Sequence, residues 1–154
     1  MNDIVQLLST FAGRISRGQW WLGFVITFVG SVVGTVLFNA EIFTAEEVPP
    51  PNWLNTFWQL AWLVPSTAIA VKRFNDRNWP WWLGYAVGLV GIVCHVAPHF
   101  GVPVDPEASG AGAATFWIWA AILLAAFIDN GFIKGTRGPN RYGPDPLAGA
   151  SQTA

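Results

Sequence analysis

In a chain of 154 residues that is 53% hydrophobic and 11% charged, ten Trp and eleven Phe exceed what a water-soluble core of this size hides, whereas a bilayer solvates them. The net charge of −1 excludes no partner as a sum, because the eight basic residues are not evenly distributed. A single cysteine, Cys94, excludes an intramolecular disulfide and a multi-cysteine metal framework.

In residues 1–19, Ile4, Leu7, Leu8, Phe11 and Ile15 recur at helical spacing on one face. The segment is too short and polar to span, so the spacing predicts an amphipathic helix in the membrane interface, ending near Gly13. A frayed tail is the alternative. Asp3 in place of an early basic cluster, a broken apolar run and no small-residue cleavage site argue against a cleaved signal peptide. Arg14 and Arg17 then precede the aromatic pair Trp20-Trp21.

A first span is expected over about 20–38; at a rise of about 1.5 Å per residue it is about 28 Å long, enough for the hydrocarbon core. Gly30 and Gly34 share a face, which serves either a seam between two copies or packing inside the chain's own bundle. The following loop carries Glu41, Glu46, Glu47 and three consecutive prolines, with no basic residue. A second span over about 53–71 is interrupted by Pro65, which should kink it, while Ser66 and Thr67 satisfy freed carbonyls. Such a kink lines a pathway or adjusts packing. The charge-dense stretch Lys72 to Trp82 leads to a third span, about 80–97, with a small-residue face of Gly84, Gly88 and Gly91 that again suits a second copy or the bundle itself. After a loose loop from Pro98 to Ala114 comes a fourth span, about 115–133, with Asp129 near its end. Residues 134–154 form a Gly/Pro-rich tail.

With four spans, Arg14, Arg17, Lys72, Arg73, Arg77, Lys134, Arg137 and Arg141 all fall on one side, and Glu41, Glu46, Glu47, Asp105 and Glu107 on the other. The positive-inside rule then places both termini in the cytoplasm, with Trp20/Trp21, Trp53, Trp79/Trp81/Trp82 and Trp117 as an aromatic belt.

Gly13-Arg14-Ile15-Ser16-Arg17 before an aromatic span, a basic pair and Asp76 ahead of Trp81-Trp82, and the turn Gly138-Pro139-Asn140-Arg141-Tyr142-Gly143-Pro144-Asp145-Pro146 together resemble domain-of-unknown-function family 805, small bacterial inner-membrane proteins. The resemblance covers nearly the whole chain, and the Asn-Arg-Tyr-Gly-x-Asp-Pro stretch is its most specific part. This chain departs from it at Asn75, where the family usually has a His directly before the Asp, and in a spacer to the Trp pair about one residue shorter. Any role imagined for that His does not transfer. The resemblance implies a bacterial inner-membrane location and architecture, and no activity.

A bundle of four short-looped helices brings Arg14, Arg17, Lys72, Arg73, Asp76, Arg77, Trp81, Trp82, Asn140, Arg141, Tyr142 and Asp145 to one face. Arg73 and Asp76 have the spacing to pair on a helical turn. The face reads either as an ion-paired cap that sets span depth or as a site for an anionic lipid headgroup or an acidic protein partner. Asp129, with Ser66 and Thr67, is the intramembrane polar set on which a small transporter or channel-like oligomer would rest; near a span end Asp129 also suits pairing with a cation such as Lys134. Cys94, His95 and His99 invite a metal, but Pro98 separates the histidines and no carboxylate is fixed nearby, so no metal or other cofactor is expected. No nucleophile–base pair, P-loop or dinucleotide fingerprint supports an enzyme, and cations tied to the membrane plane disfavour nucleic acid. The leading expectation is a structural or interaction module; transport comes second and a membrane-embedded enzyme third.

Overall fold

The structure is a computed structural model and describes residues 2–45, 49–102, 104, 106–107 and 110–148. Glu46, Glu47 and Asp105, three of the acidic loop residues, lie outside the described residues. Among these residues five helices follow in order: α1 (Asn2–Ser9), α2 (Arg17–Phe38), α3 (Trp53–Asp76), α4 (Trp82–Val96) and α5 (Ala111–Phe132). Short 3-10 turns at Ala40–Phe43 and Ala97–Phe100 follow α2 and α4. There is no strand among the described residues. Among the described residues, three helices are long and apolar enough to cross a membrane: α2, α4 with its 3-10 extension, and α5.

Helix α2 begins where Ser16 and Gln19 cap each other reciprocally: the Gln19 amide donates to Ser16 Oγ at 3.3 Å and the Ser16 amide to Gln19 Oε1 at 2.9 Å. Helix α3 is the centre of the bundle. Gly23, Gly30 and Gly34 of α2 lie against Ile69, Trp62 and Trp58, so the two helices run antiparallel. Gly84, Gly88 and Gly91 of α4 lie against Val71, Thr67 and Leu63 on another side of α3. A methyl group at Gly30 or Gly34 would overlap an indole ring. Both glycine faces are therefore filled by side chains of the same chain, and a seam between copies at Gly30/Gly34 or Gly84/Gly88 finds its surface already covered.

Lipid tails are as apolar as Leu, so close packing and hydrogen bonds hold such helices together rather than burial from water. Gln59, buried on α3, supplies the hydrogen bonds to α2. Its amide donates to the Ser31 carbonyl at 3.1 Å and to Thr35 Oγ1 at 2.9 Å, and its oxygen accepts from the Ser31 hydroxyl. Helix α5 closes the bundle through an aromatic cluster in which Trp20 meets Phe24 and Phe127 at ring-centroid distances of 5.2 and 5.8 Å. Trp20 is thus buried, whereas Trp53, Trp79, Trp81, Trp82 and Trp117 stay exposed.

Several boundaries differ from the expected ones. Helix α3 runs past Val71 to Asp76, so Lys72 to Asp76 is helix rather than loop. It continues through Pro65, next to which the Ser66 hydroxyl donates to the Trp62 carbonyl at 2.9 Å. Helix α1 stops at Ser9, ahead of Gly13, whose φ of 88° ends any helical path. Phe11 and Ile15 lie beyond it: Phe11 stacks on Tyr85 at 5.7 Å and Ile15 packs with Leu7, Trp20 and Ile69. Helix α5 starts at Ala111, earlier than Thr115.

Candidate functional site

The antiparallel order brings the start of α2, the end of α3, the start of α4 and the end of α5 to one end of the bundle, and the cations gather there. At its centre is Asp76, 3% exposed, on the last turn of α3. One carboxylate oxygen accepts from Arg14, with Nη2 at 2.8 Å, and the other from Arg73, one turn back on the same helix. Two guanidinium groups share one carboxylate, and the excess charge is taken up by backbone carbonyls. Arg14 donates to the carbonyls of Thr136 and Gly138, each at 2.7 Å, and of Gly143 at 3.2 Å. Arg73, fully buried, donates to the carbonyls of Asn130 at 2.7 Å, of Ile133, and of Ile15 at 3.4 Å. The Asp76 carbonyl in turn accepts from the Thr136 amide at 2.9 Å and hydroxyl at 2.8 Å. A Cβ at Gly135 would overlap the Asp76 carboxylate, which is why the chain passes here without a side chain. The result is a clamp that ties the segment before α2, the end of α3, the end of α5 and the tail to one carboxylate.

The other cations fasten neighbouring elements. The Lys72 ammonium donates to the Gln6 carbonyl at 3.0 Å and to that of Leu7, which caps the C-terminus of α1, where carbonyls and helix dipole favour a cation. Arg17 donates to the Phe132 carbonyl at 3.2 Å at the end of α5. Arg77 pairs with Asp129 at 3.3 Å and donates to the Lys134 carbonyl at 2.7 Å, so the partner of Asp129 is Arg77 rather than Lys134. Asn75 donates to the Gly13 carbonyl at 3.1 Å.

The tail folds into a turn under the bundle. Asn140 and Gly143 exchange backbone hydrogen bonds of 3.0 Å, and the Asn140 amide group donates to the Asn75 carbonyl at 2.9 Å. Arg141 donates to the carbonyls of Asn78 at 2.9 Å and Trp79 at 2.8 Å, and the Tyr142 hydroxyl donates to that of Trp79. Asp145 accepts from the amides of Leu147 and Gly138, both at 2.9 Å. Those two amides, that of Leu147 first, hold the Asp145 carboxyl below its usual range, with a smaller contribution from the Arg14 charge.

Beside the clamp lies a recess of about 260 Å³ with Arg73 and Asp76 at its floor and Arg17, Lys134, Arg137 and Asp145 around it. Lys134 and Arg137 are exposed, and among the described residues neither side chain has a carboxylate partner. Four cations against two carboxylates leave the recess net positive. The two rim cations were not among the expected site residues; their signal was only two basic residues three apart, between the end of α5 and the tail turn.

Other expected residues are placed elsewhere. Trp81 and Trp82 stand exposed at the start of α4 and line no part of the recess, Trp81 meeting Tyr85 edge-on at 6.2 Å. Ser66 bonds its own helix, Thr67 faces Gly88, and Asp129 sits at the basic end, so these three form no common site. At the opposite end, His99 Nε2 lies 2.8 Å from Thr56 Oγ1 with its ring stacked on Trp53 at 3.6 Å.

Residues 8–144 match a family model described as a protein of unknown function, DUF805. Over 143 residues the chain is 26% identical to the inner membrane protein YhaI of Escherichia coli strain K12, covering 92% of this chain and 89% of the relative. It is 28% identical over 153 residues to the uncharacterized protein YiiR of the same strain, with the same two coverages. No solved structure matches.

Proposed function

We propose, since the chain belongs to the DUF805 family and is similar to an inner-membrane protein, that it is an interaction module of the bacterial inner membrane that binds the phosphate of an anionic lipid headgroup at its basic end. The observation that carries this reading is the recess beside the Asp76 clamp. Its floor is already ion-paired, so Arg14 and Arg73 are committed to the fold, whereas Lys134 and Arg137 are exposed at the rim. A volume of about 260 Å³ suits a headgroup rather than a protein segment. Juxtamembrane cations attract anionic lipid by about 1 kcal/mol each.

The same reading takes α3 as a fourth span. It is less apolar than its neighbours because α2 and α4 cover its polar face, including Thr56 and Gln59. Lying antiparallel along both, it crosses whatever they cross. Four spans put all eight cations on one side, and the positive-inside rule makes that side cytoplasmic, with both termini. Transport receives no such support, because Asp129, Ser66 and Thr67 are engaged separately.

The test is thermal unfolding in bicelles. Adding phosphatidylglycerol to a phosphatidylcholine background raises the unfolding temperature of the wild type, and Lys134→Gln/Arg137→Gln loses most of that rise while unfolding normally without the anionic lipid. An equal rise in both proteins contradicts the site.

A further inference from the structure

A groove of about 590 Å³ runs between α2 and α5 over α3 and shares no lining residue with the basic recess. Its walls are mostly apolar, with Phe24, Phe28, Leu123, Leu124 and Phe127 among them, and the hydroxyls of Thr27, Ser31 and Ser66 on the lining are already bonded within the protein. Phe28 and Leu124 are exposed at its mouth, so it opens toward the lipid. Two buried polar atoms on its lining have no hydrogen-bond partner: Asn130 Oδ1 and Trp119 Nε1. Asn130 is 2% exposed, and its backbone carbonyl is held by Arg73 Nε at 2.7 Å, so the residue is fixed while its side-chain oxygen is left over. A buried acceptor without a donor is costly in a bilayer, where no bulk water reaches it. Positions 119 and 130 are three helical turns apart on one face of α5, about 16 Å, or about half the hydrocarbon core. That is the depth one chain of one leaflet occupies.

We infer that this groove binds a membrane amphiphile consisting of an aliphatic chain that ends in an uncharged hydroxyl, with the hydroxyl donating to Asn130 Oδ1 and the chain lying along α5 toward Trp119. The apolar walls select the chain. The unpartnered acceptor selects an O–H donor over an ester, and the absence of a charged side chain among the lining residues selects a neutral head over a phosphate. The inference is independent of the anionic-lipid site, because it uses neither Lys134 nor Arg137.

The probes are 1-oleoylglycerol and methyl oleate, which carry the same chain but only the first of which donates hydrogen bonds. In phosphatidylcholine bicelles, 1-oleoylglycerol raises the unfolding temperature of the wild type and methyl oleate does not. Asn130→Leu binds 1-oleoylglycerol about tenfold more weakly, the scale of one hydrogen bond. Without probe it is at least as stable as the wild type, because an orphaned polar group has been replaced by an apolar one. Ala120→Phe, which narrows the groove without touching Asn130, also loses the rise and carries the test if Asn130→Leu does not fold. Lys134→Gln/Arg137→Gln keeps it, which separates this site from the headgroup recess. Equal rises with both probes, or an undiminished rise in Ala120→Phe or in a folded Asn130→Leu, overturn the inference.

Discussion

Asp76 and the two guanidinium groups it holds decide how the basic end behaves. Removing one partner of a buried ion pair leaves an uncompensated charge, typically at about 3–5 kcal/mol. Asp76→Ala strands both Arg14 and Arg73, whose side chains are 1% and 0% exposed, and a loss in that range is expected in denaturant unfolding of the detergent-solubilised protein. Gly135→Ala reaches the same centre from the other side. Its Cβ meets a carboxylate that two arginines hold in place, so the neighbour cannot yield and the loss is about 1–3 kcal/mol, the usual scale of overpacking. At Asp145 the folded carboxyl titrates below its ordinary value of 3.8. A depressed folded pKa contributes stability that is fully present above the unfolded pKa and is lost as pH falls through the folded one. The tail turn should therefore loosen first below about pH 4, seen as faster amide exchange at Gly138 and Leu147 ahead of the helices. Asp145→Asn should show the loosened exchange at neutral pH.

Among the elements, α3 explains what was and was not legible in the sequence. Gly30, Gly34, Gly84 and Gly88 announced close approach, but their spacing cannot say which helix approaches; the structure gives α3 to both sets. Gly34→Ala should destabilise by about 1–3 kcal/mol because its Cβ meets the indole of Trp58, with little change in lipid response. The Arg73–Asp76 pair could be read because it is local to one helical turn. The arginine from position 14 could not, since its partners lie more than sixty residues away, on α3 and in the tail. Nor could the extent of α3: Lys72 and Asn75 look like loop residues until their partners, the end of α1 and the Gly13 carbonyl, are in place. The role of Gln59 is hidden in the sequence for a similar reason. Inside an apolar stretch it reads as a tolerated polar residue, and only the Ser31 and Thr35 groups of α2 turn it into a crosslink.

For the whole molecule, the gathering of cations at one end of the bundle was legible because it needs only that successive helices alternate in direction, whereas the division of labour among the cations needs coordinates. Arg14, Arg73 and Lys72 are consumed by the fold, and Lys134 and Arg137 are not. Topology can be checked in a Cys94→Ser background with single cysteines at Thr44, Trp79, Phe100 and Pro139, labelled from outside by an impermeant thiol reagent. Four crossings with both ends inside predict labelling at 44 and 100 and protection at 79 and 139; labelling at 79 would remove α3 from the spans. The claim that the basic end holds an anionic headgroup is tested most directly by native mass spectrometry of protein released gently from bacterial membranes. The wild type should retain phosphatidylglycerol or another anionic phospholipid, and Lys134→Gln/Arg137→Gln should retain about thirtyfold less, since two cations are worth about 2 kcal/mol. Equal retention by the two proteins, or retention of zwitterionic lipid alone by the wild type, would contradict it.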